Sequence, residues 1–336
     1  MKKNVLITGI TGMVGSHLAD LLLKKTNWKI FGLCRWRSPL DNIEHLLDLS
    51  NRKGSRLNFV TADLNDYSSI ISALEISKPN FVFHLAAQSF PKTSFTEPNI
   101  TFNTNIIGTY NLLNGIKQLR LKPKIHICSS SEIFGRVKKE NLPIDENCSF
   151  HPASPYAISK VGTDLIGRFF YEAFNQKVFI TRMFTHTGPR RGDVFAESSF
   201  AKQIAMIERK KIKPIIKVGN LNSLRTFADV RDAVEAYYLL IKKNIKPGEN
   251  YNIGGTYTCK VGDVLNFLLS KSKVKNIKII KDPSRLRPID ADLQIPNTKK
   301  FRDATGWNPK ISFNKTMIDH LNYWRNRVKK NNFTDR

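Results

Sequence analysis

Three glycines, Gly9, Gly12 and Gly15, set between an apolar run and an amphipathic one, constrain this chain more than any other feature. Asn4 to Thr8 is almost continuously apolar, the pattern of a strand covered by helices on both faces. It leads into Gly9-Ile-Thr-Gly12-Met-Val-Gly15 and then into Ser16 to Lys25, which is amphipathic at helical spacing. Glycines so placed let the backbone turn tightly and approach a pyrophosphate, which then sits at the N-terminus of the helix. A glycine triplet alone also occurs in ordinary tight turns. Between a first strand and a first helix it predicts a dinucleotide site made by Gly9, Thr11, Gly12, Met13, Val14 and Gly15.

The pattern then alternates. Strands are predicted at Lys29 to Leu33, Leu57 to Thr61, Phe81 to Leu85, Ile125 to Cys128 and Val178 to Met183, with helices at Tyr67 to Ser77 and Thr101 to Leu119. This alternation predicts an α/β fold, a doubly wound parallel sheet of the Rossmann type over residues 1–185, with contributions from later segments. Beyond the turn-rich Phe184 to Gly192 the pattern changes to helices at Val194 to Lys210, Asp229 to Lys242, Lys260 to Ser270 and Phe313 to Val328. Short strands are expected at Pro214 to Val218, Asn250 to Ile253 and Ile277 to Ile280. Residues 186–328 are expected to form mainly a smaller α/β substrate lobe over the strand ends, and residues 329–336 a frayed tail.

Chemistry concentrates between Cys128 and Lys160. Tyr156 and Lys160 are four apart in a segment that reads as a helix start, so both side chains lie on one face. An ammonium there is expected to lower the phenol pKa towards the range useful for proton transfer. Ser130 and Glu132 follow a buried strand, at the edge where open α/β sheets place their sites. After the second strand an NAD-selective site has an acidic residue; this chain has Arg35 and Arg37, and guanidinium groups there predict NADP. Asp63 and Leu64 are expected at the adenine, and the small residues of Ala86-Ala-Gln-Ser89 would let the chain pass close to the dinucleotide.

The chain has 54 basic and 28 acidic residues, a formal charge of +26. Its lysines are spread along the sequence, which reads as a solvated basic surface that also attracts a diphosphate substrate. No nucleic-acid or membrane partner is expected, because no apolar run approaches the roughly eighteen residues of a span and the N-terminus goes straight into a strand. Four scattered cysteines without metal spacing suggest a reduced, cytoplasmic protein with no metal site.

Together, the Gly9/Gly12/Gly15 loop, Asp63-Leu64, Asn105, the Ser130/Tyr156/Lys160 set and the C-terminal half resemble the extended short-chain dehydrogenase/reductase family that acts on nucleotide sugars. The likeness covers almost the whole chain and is strongest to its GDP-mannose 4,6-dehydratase and GDP-4-keto-6-deoxymannose reductase branches. Gly32-Leu-Cys-Arg-Trp-Arg-Ser38, Ser94-Phe-Thr-Glu-Pro98 and Gly188-Pro-Arg-Arg-Gly192 resemble the dehydratases; Pro214 to Asn220 and Asp282 to Pro288 look more like the reductases. The resemblance implies that Ser130, Glu132, Tyr156 and Lys160 are catalytic and that Leu85, Ala86, Ala87 and His186 meet the cofactor. It implies a GDP-sugar held by Ser89, Ser131, Glu132, Thr185, Lys202, Arg225 and Arg287, and a homo-oligomer. Thr185 stands where the family has asparagine. The reaction implied is oxidation at C4, loss of water across C5 and C6, and reduction at C6. Two alternatives stay open: a one-step ketoreductase using the same groups, and a non-catalytic dinucleotide-fold protein that binds nucleic acid through its charge.

Overall fold

The computed structural model describes residues 3–330. Its main sheet has seven parallel strands, in spatial order Asn250–Ile253, Lys177–Met183, Lys124–Cys128, Phe81–His84, Asn4–Thr8, Lys29–Cys34 and Leu57–Thr61. The central strand is wholly inside, with Val5, Leu6 and Ile7 at 0% exposure, as an apolar run covered on both faces must be. Helices Met13–Lys25 and Val230–Lys242 pack on one face; Tyr67–Ser77, Gly108–Gln118 and Pro155–Phe174 pack on the other. The strand Asn250–Ile253 and the helix Val230–Lys242 thus return from the second half of the chain to complete the sheet.

A second core gathers Ala196–Glu208, Val261–Ser270 and Phe313–Lys330 around Phe200, Phe227, Leu265 and Trp324. It carries a small sheet in which Leu224–Asp229 lies between Tyr257–Lys260 and Leu293–Gln294. These three strands were not anticipated. They are short and their partners are distant in sequence, so no local alternation marks them.

Two expectations are corrected. The helix expected from Thr101 begins at Pro98 and contains a wider turn over Asn103–Ile107. That turn leaves the Asn105 carbonyl able to accept from both Thr109 and Thr163, while the Asn105 side chain pairs with the Gln88 backbone and donates to Ser159. The last helix continues through Lys330, past the expected fray point at residue 329; the rest of the expected tail, residues 331–336, lies outside the described residues. Among the described residues no helix is long and apolar enough to cross a membrane.

The helix Pro155–Phe174 is locked to the sheet by a buried charge cluster. Asp164 accepts from Arg182 at 2.9 Å, both side chains at 0% exposure, and from Arg168 at 2.8 Å. Arg182 also donates to the Glu146 carbonyl at 2.7 Å. Asp164→Leu would leave the Arg182 charge buried without its partner, and denaturant unfolding should show a loss of about 3–5 kcal/mol; a change under ~1 kcal/mol would remove this cluster as the lock.

Candidate active site

At Gly9 the chain turns with φ +72°, and a methyl group there would come within 2.8 Å of the Ala86 backbone. A methyl at Gly15 would come within 2.3 Å of the Gly9 carbonyl oxygen. Only glycine fits either position, and the result is a bare backbone cradle at the start of the helix Met13–Lys25, whose cap residue Gly12 has no side chain to occupy the first amides. Thr8 ties this loop to its neighbour: its hydroxyl accepts from the Leu85 and Ala86 amides, each at 3.1 Å, and bonds His84 Nδ1 at 2.9 Å.

The cradle is one end of a cavity of about 1100 Å³. Its walls include Thr11 to Gly15, Asp63 and Leu64, Leu85 to Ala87 and Ser89, as well as Ser130, Ser131, Glu132, Tyr156 and Lys160. Thr185 and His186 also line it, and Lys202, Arg225 and Arg287 stand at the far end. Segments nearly three hundred residues apart thus share one space, because parallel strands all finish at the same edge.

Of the two arginines expected at the cofactor, only Arg35 lines the cavity. Arg37 instead lies over the ring of Trp36, 4.3 Å from its centroid, and Trp36 is 77% exposed. A guanidinium drawn to an exposed indole face accounts for its departure.

Ser154 caps the helix Pro155–Phe174 by accepting from the Ala157 amide at 3.0 Å, and Pro155 occupies the first helical position. Tyr156 and Lys160 follow on the buried face, and the Tyr156 amide is held by Ser94 Oγ at 3.0 Å. Ser130 caps the short turn Ser131–Ile133 and bonds the Tyr156 hydroxyl, favouring the phenolate.

The expected lowering of the Tyr156 pKa by Lys160 is not what the structure has. Burial is the largest influence and pushes the phenol well above its ordinary value; the Ser130 bond and the Arg191 charge pull only part of the way back. The Lys160 ammonium donates to the Cys128 carbonyl at 2.6 Å, and burial holds its pKa below the usual lysine value. His186 is likewise brought down to about 3 by burial and then by Arg191, and its Nδ1 donates to the Phe184 carbonyl at 3.2 Å.

The Glu132 side chain is 18% exposed and faces Arg287 at 4.0 Å, with the Arg225 charge also near. Arg225 is half-buried and donates to the Ala291 carbonyl, and Arg287 also meets Asp290 at 3.6 Å. Lys202 is paired with Asp193 at 2.7 Å, so its charge is shared with a carboxylate in the same wall. Sequence reasoning missed Thr8, Arg191 and Arg285. Arg285 donates to Ser199 Oγ at 2.9 Å and lines the cationic end. The arginines lie in turn-rich segments that no periodicity marks; Thr8 reads simply as the end of a strand.

Comparison with known proteins agrees with this geometry. The family model described as GDP-mannose 4,6 dehydratase matches residues 6–320. The GDP-mannose 4,6 dehydratase of Drosophila melanogaster is 30% identical over 95% of this chain and 85% of its own. The GDP-6-deoxy-D-mannose reductase of Pseudomonas aeruginosa is 28% identical over 98% of this chain and 99% of its own. Among solved structures, that of RMD from Pseudomonas aeruginosa complexed with NADPH superposes with a TM-score of 0.81 at 27% identity, covering 97% of this chain and 100% of that one. The Thermus thermophilus UDP-glucose 4-epimerase complex with NAD, 24% identical with a TM-score of 0.83 over 96% of this chain and 98% of that one, shares the fold. The chain belongs to the GDP-mannose 4,6 dehydratase family, within the extended short-chain dehydrogenase/reductases.

Proposed function

We propose that this protein is an NADP-dependent nucleotide-sugar 4,6-dehydratase that converts GDP-mannose, or a closely similar GDP-sugar, to the 4-keto-6-deoxy product. The observation that carries this reading is the continuous cavity from Gly9 past Tyr156 and Glu132 to Arg287. A dinucleotide cradle, proton-transfer groups and a cationic end share one space. At about 1100 Å³ it exceeds the roughly 300–1,000 Å³ of a site for one small molecule.

The cradle fits a dinucleotide, since side chains at Gly9 or Gly15 would strike backbone. Gly9 to Gly15, Asp63, Leu64, Leu85 to Ala87 and His186 would hold it, with Arg35 at the 2′-phosphate. When bound, NADP supplies the reversible two-electron oxidation and reduction of the sugar. In its phenolate form, which the Ser130 bond and the Arg191 charge favour against burial, Tyr156 Oη takes the proton of the sugar 4-hydroxyl, with the Ser130 hydroxyl bridging and Lys160 beside it on the same helix. Glu132 removes the C5 proton that the C4 ketone has acidified, and that proton leaves with the C6 hydroxyl as water; as C6 is reduced, a solvent proton restores C5, and Tyr156 gives the proton it gained to solvent. Ser89, Ser131 and Thr185 would position the sugar, and Lys202, Arg225 and Arg287 the GDP portion.

One observation favours a second reading, a GDP-4-keto-6-deoxymannose reductase. The Pseudomonas aeruginosa reductase is matched over 99% of its length, the Drosophila melanogaster dehydratase over 85%. Purified protein given GDP-mannose without reductant should form the 4-keto-6-deoxy sugar with no net change in NADPH, and Tyr156→Phe should reduce the rate by roughly 10²–10⁴-fold. Inertness towards GDP-mannose, together with use of one NADPH per ketosugar, would establish the reductase instead.

Arg35→Ala should cut the preference for NADP over NAD by about ten- to a hundredfold, the loss of one charge-assisted bond, while Arg37→Ala should leave the ratio unchanged. An unchanged ratio in Arg35→Ala would move the 2′-phosphate contact elsewhere.

The proposed oligomer rests on two adjacent helical segments with an uncovered apolar face. Ile107 and Tyr110 are 49% and 44% exposed, and Ile158, Leu165 and Phe169 are 47%, 50% and 51% exposed. A second copy presenting the same face would bury both patches about a twofold axis. Sedimentation equilibrium should return a dimer or larger, and Leu165→Glu should shift it towards monomer; a monomeric parent protein would refute the assignment. Four free thiols fit a reducing, cytoplasmic setting.

A further inference from the structure

A parallel sheet has two ends, and the cavity occupies only the one where the strands finish. At the other end, where strands begin, positive charge accumulates. Lys3 precedes the strand Asn4–Thr8, and Asn4 is the register partner of Lys29. Lys124 and Lys177 open neighbouring strands and face each other in register. Lys24 and Lys25 close one helix, and Lys242 closes another and is followed by Lys243. All of these except Lys124 are exposed.

Basic residues in a last helical turn complement the helix dipole. That reason does not reach Lys29, Lys124 and Lys177, which stand on strands. Local acids are fewer than the lysines: Glu235 takes Lys25 at 2.6 Å, Glu249 is engaged by Lys246 and Lys300, and Glu75 and Glu172 stand exposed near Ile76 and Phe174. Lys124 is held below its ordinary pKa by burial and then by the charges of Lys177 and Lys242, so like charges are close enough to repel. A bound anion would relieve that repulsion. A surface hollow lined by Lys24, Lys25 and Lys242 with Trp28 and Tyr238 lies within the same group.

We propose that this end docks the protein on a bilayer surface carrying anionic lipid headgroups, with the cavity turned towards solvent. Three features favour a bilayer over nucleic acid. Six strands start level, within about a residue of one another in register, which makes a broad end rather than a groove. The charges are predominantly lysine, a hydrated point charge without the planar fork that reads phosphates and bases. Two exposed apolar groups stand at the same end, Ile76 in the last turn of Tyr67–Ser77 at 61% and Phe174 at the close of Pro155–Phe174 at 39%, with Lys117 Nζ 3.9 Å over the Phe174 ring. Such groups can enter the headgroup boundary beside the lysines. This attachment needs no spanning helix, and it goes beyond the expectation that the chain has no membrane partner.

Co-sedimentation of the full chain with vesicles tests the proposal. It should pellet with vesicles of phosphatidylcholine and phosphatidylglycerol, remain free with phosphatidylcholine alone, and be released at high salt. Combining Lys24→Gln, Lys177→Gln, Lys242→Gln and Lys243→Gln should weaken the partition by about a hundredfold or more without changing the melting temperature. Combining Lys213→Gln, Lys273→Gln, Lys275→Gln and Lys278→Gln, on the smaller lobe, removes the same charge and should bind like the parent. Equal loss in the two variants would overturn the proposal. So would failure to pellet with anionic vesicles, pelleting with neutral ones, or tighter binding to duplex DNA at the same salt.

Discussion

Seven strands running the same way are the constraint from which the rest of this molecule follows. Parallel neighbours cannot be joined by hairpins, so each strand returns through a crossover, and helices come to cover both faces. Every strand then finishes at one edge and begins at the other. The finishing edge collects the loops that carry Gly9, Ala86, Ser130 and His186. The beginning edge collects the lysines of helix ends and strand starts. The molecule therefore has a chemical end and a charged end, separated by the length of the sheet.

Within the finishing edge, burial and charge oppose one another. The groups on the helix Pro155–Phe174 sit in a setting that disfavours a bare charge: Tyr156 is held protonated and the Lys160 ammonium is depressed, each chiefly by desolvation. What offsets this is placed by other segments, the Ser130 hydroxyl from one loop and the Arg191 guanidinium from another. The ionisation of the Tyr156 phenol is thus governed by the assembled cavity rather than by the Tyr156/Lys160 spacing. The helix can hold such groups because Asp164 and Arg182 anchor its middle to the sheet in a fully buried pair.

Much of the fold could be read directly. Strands built on apolar runs, such as residues 5–7 within Asn4–Thr8 and 178–180 within Lys177–Met183, and helices with a strong apolar stripe, such as Val230–Lys242, signal themselves locally. Leu224–Asp229 did not, because its partners are Tyr257–Lys260 and Leu293–Gln294, and a strand of six residues with charged members has no pattern apart from them. The candidate site divides similarly. Glycines at a strand-to-helix turn have one backbone reason to be there. Arg35 and Arg37 look equivalent on paper, and only the position of Trp36 separates them.

The sequence by itself determined the parallel α/β architecture and the glycine cradle, and it marked Ser130, Tyr156 and Lys160 as candidates for proton transfer, because each depends on spacing within a few residues of chain. Only the tertiary structure decided which arginines reach the cavity, that burial rather than Lys160 governs Tyr156, and that scattered lysines converge on one end. Those outcomes depend on distances between segments far apart in the chain, and on how much water the packing leaves around each charge. Neither quantity exists until the strands are laid side by side.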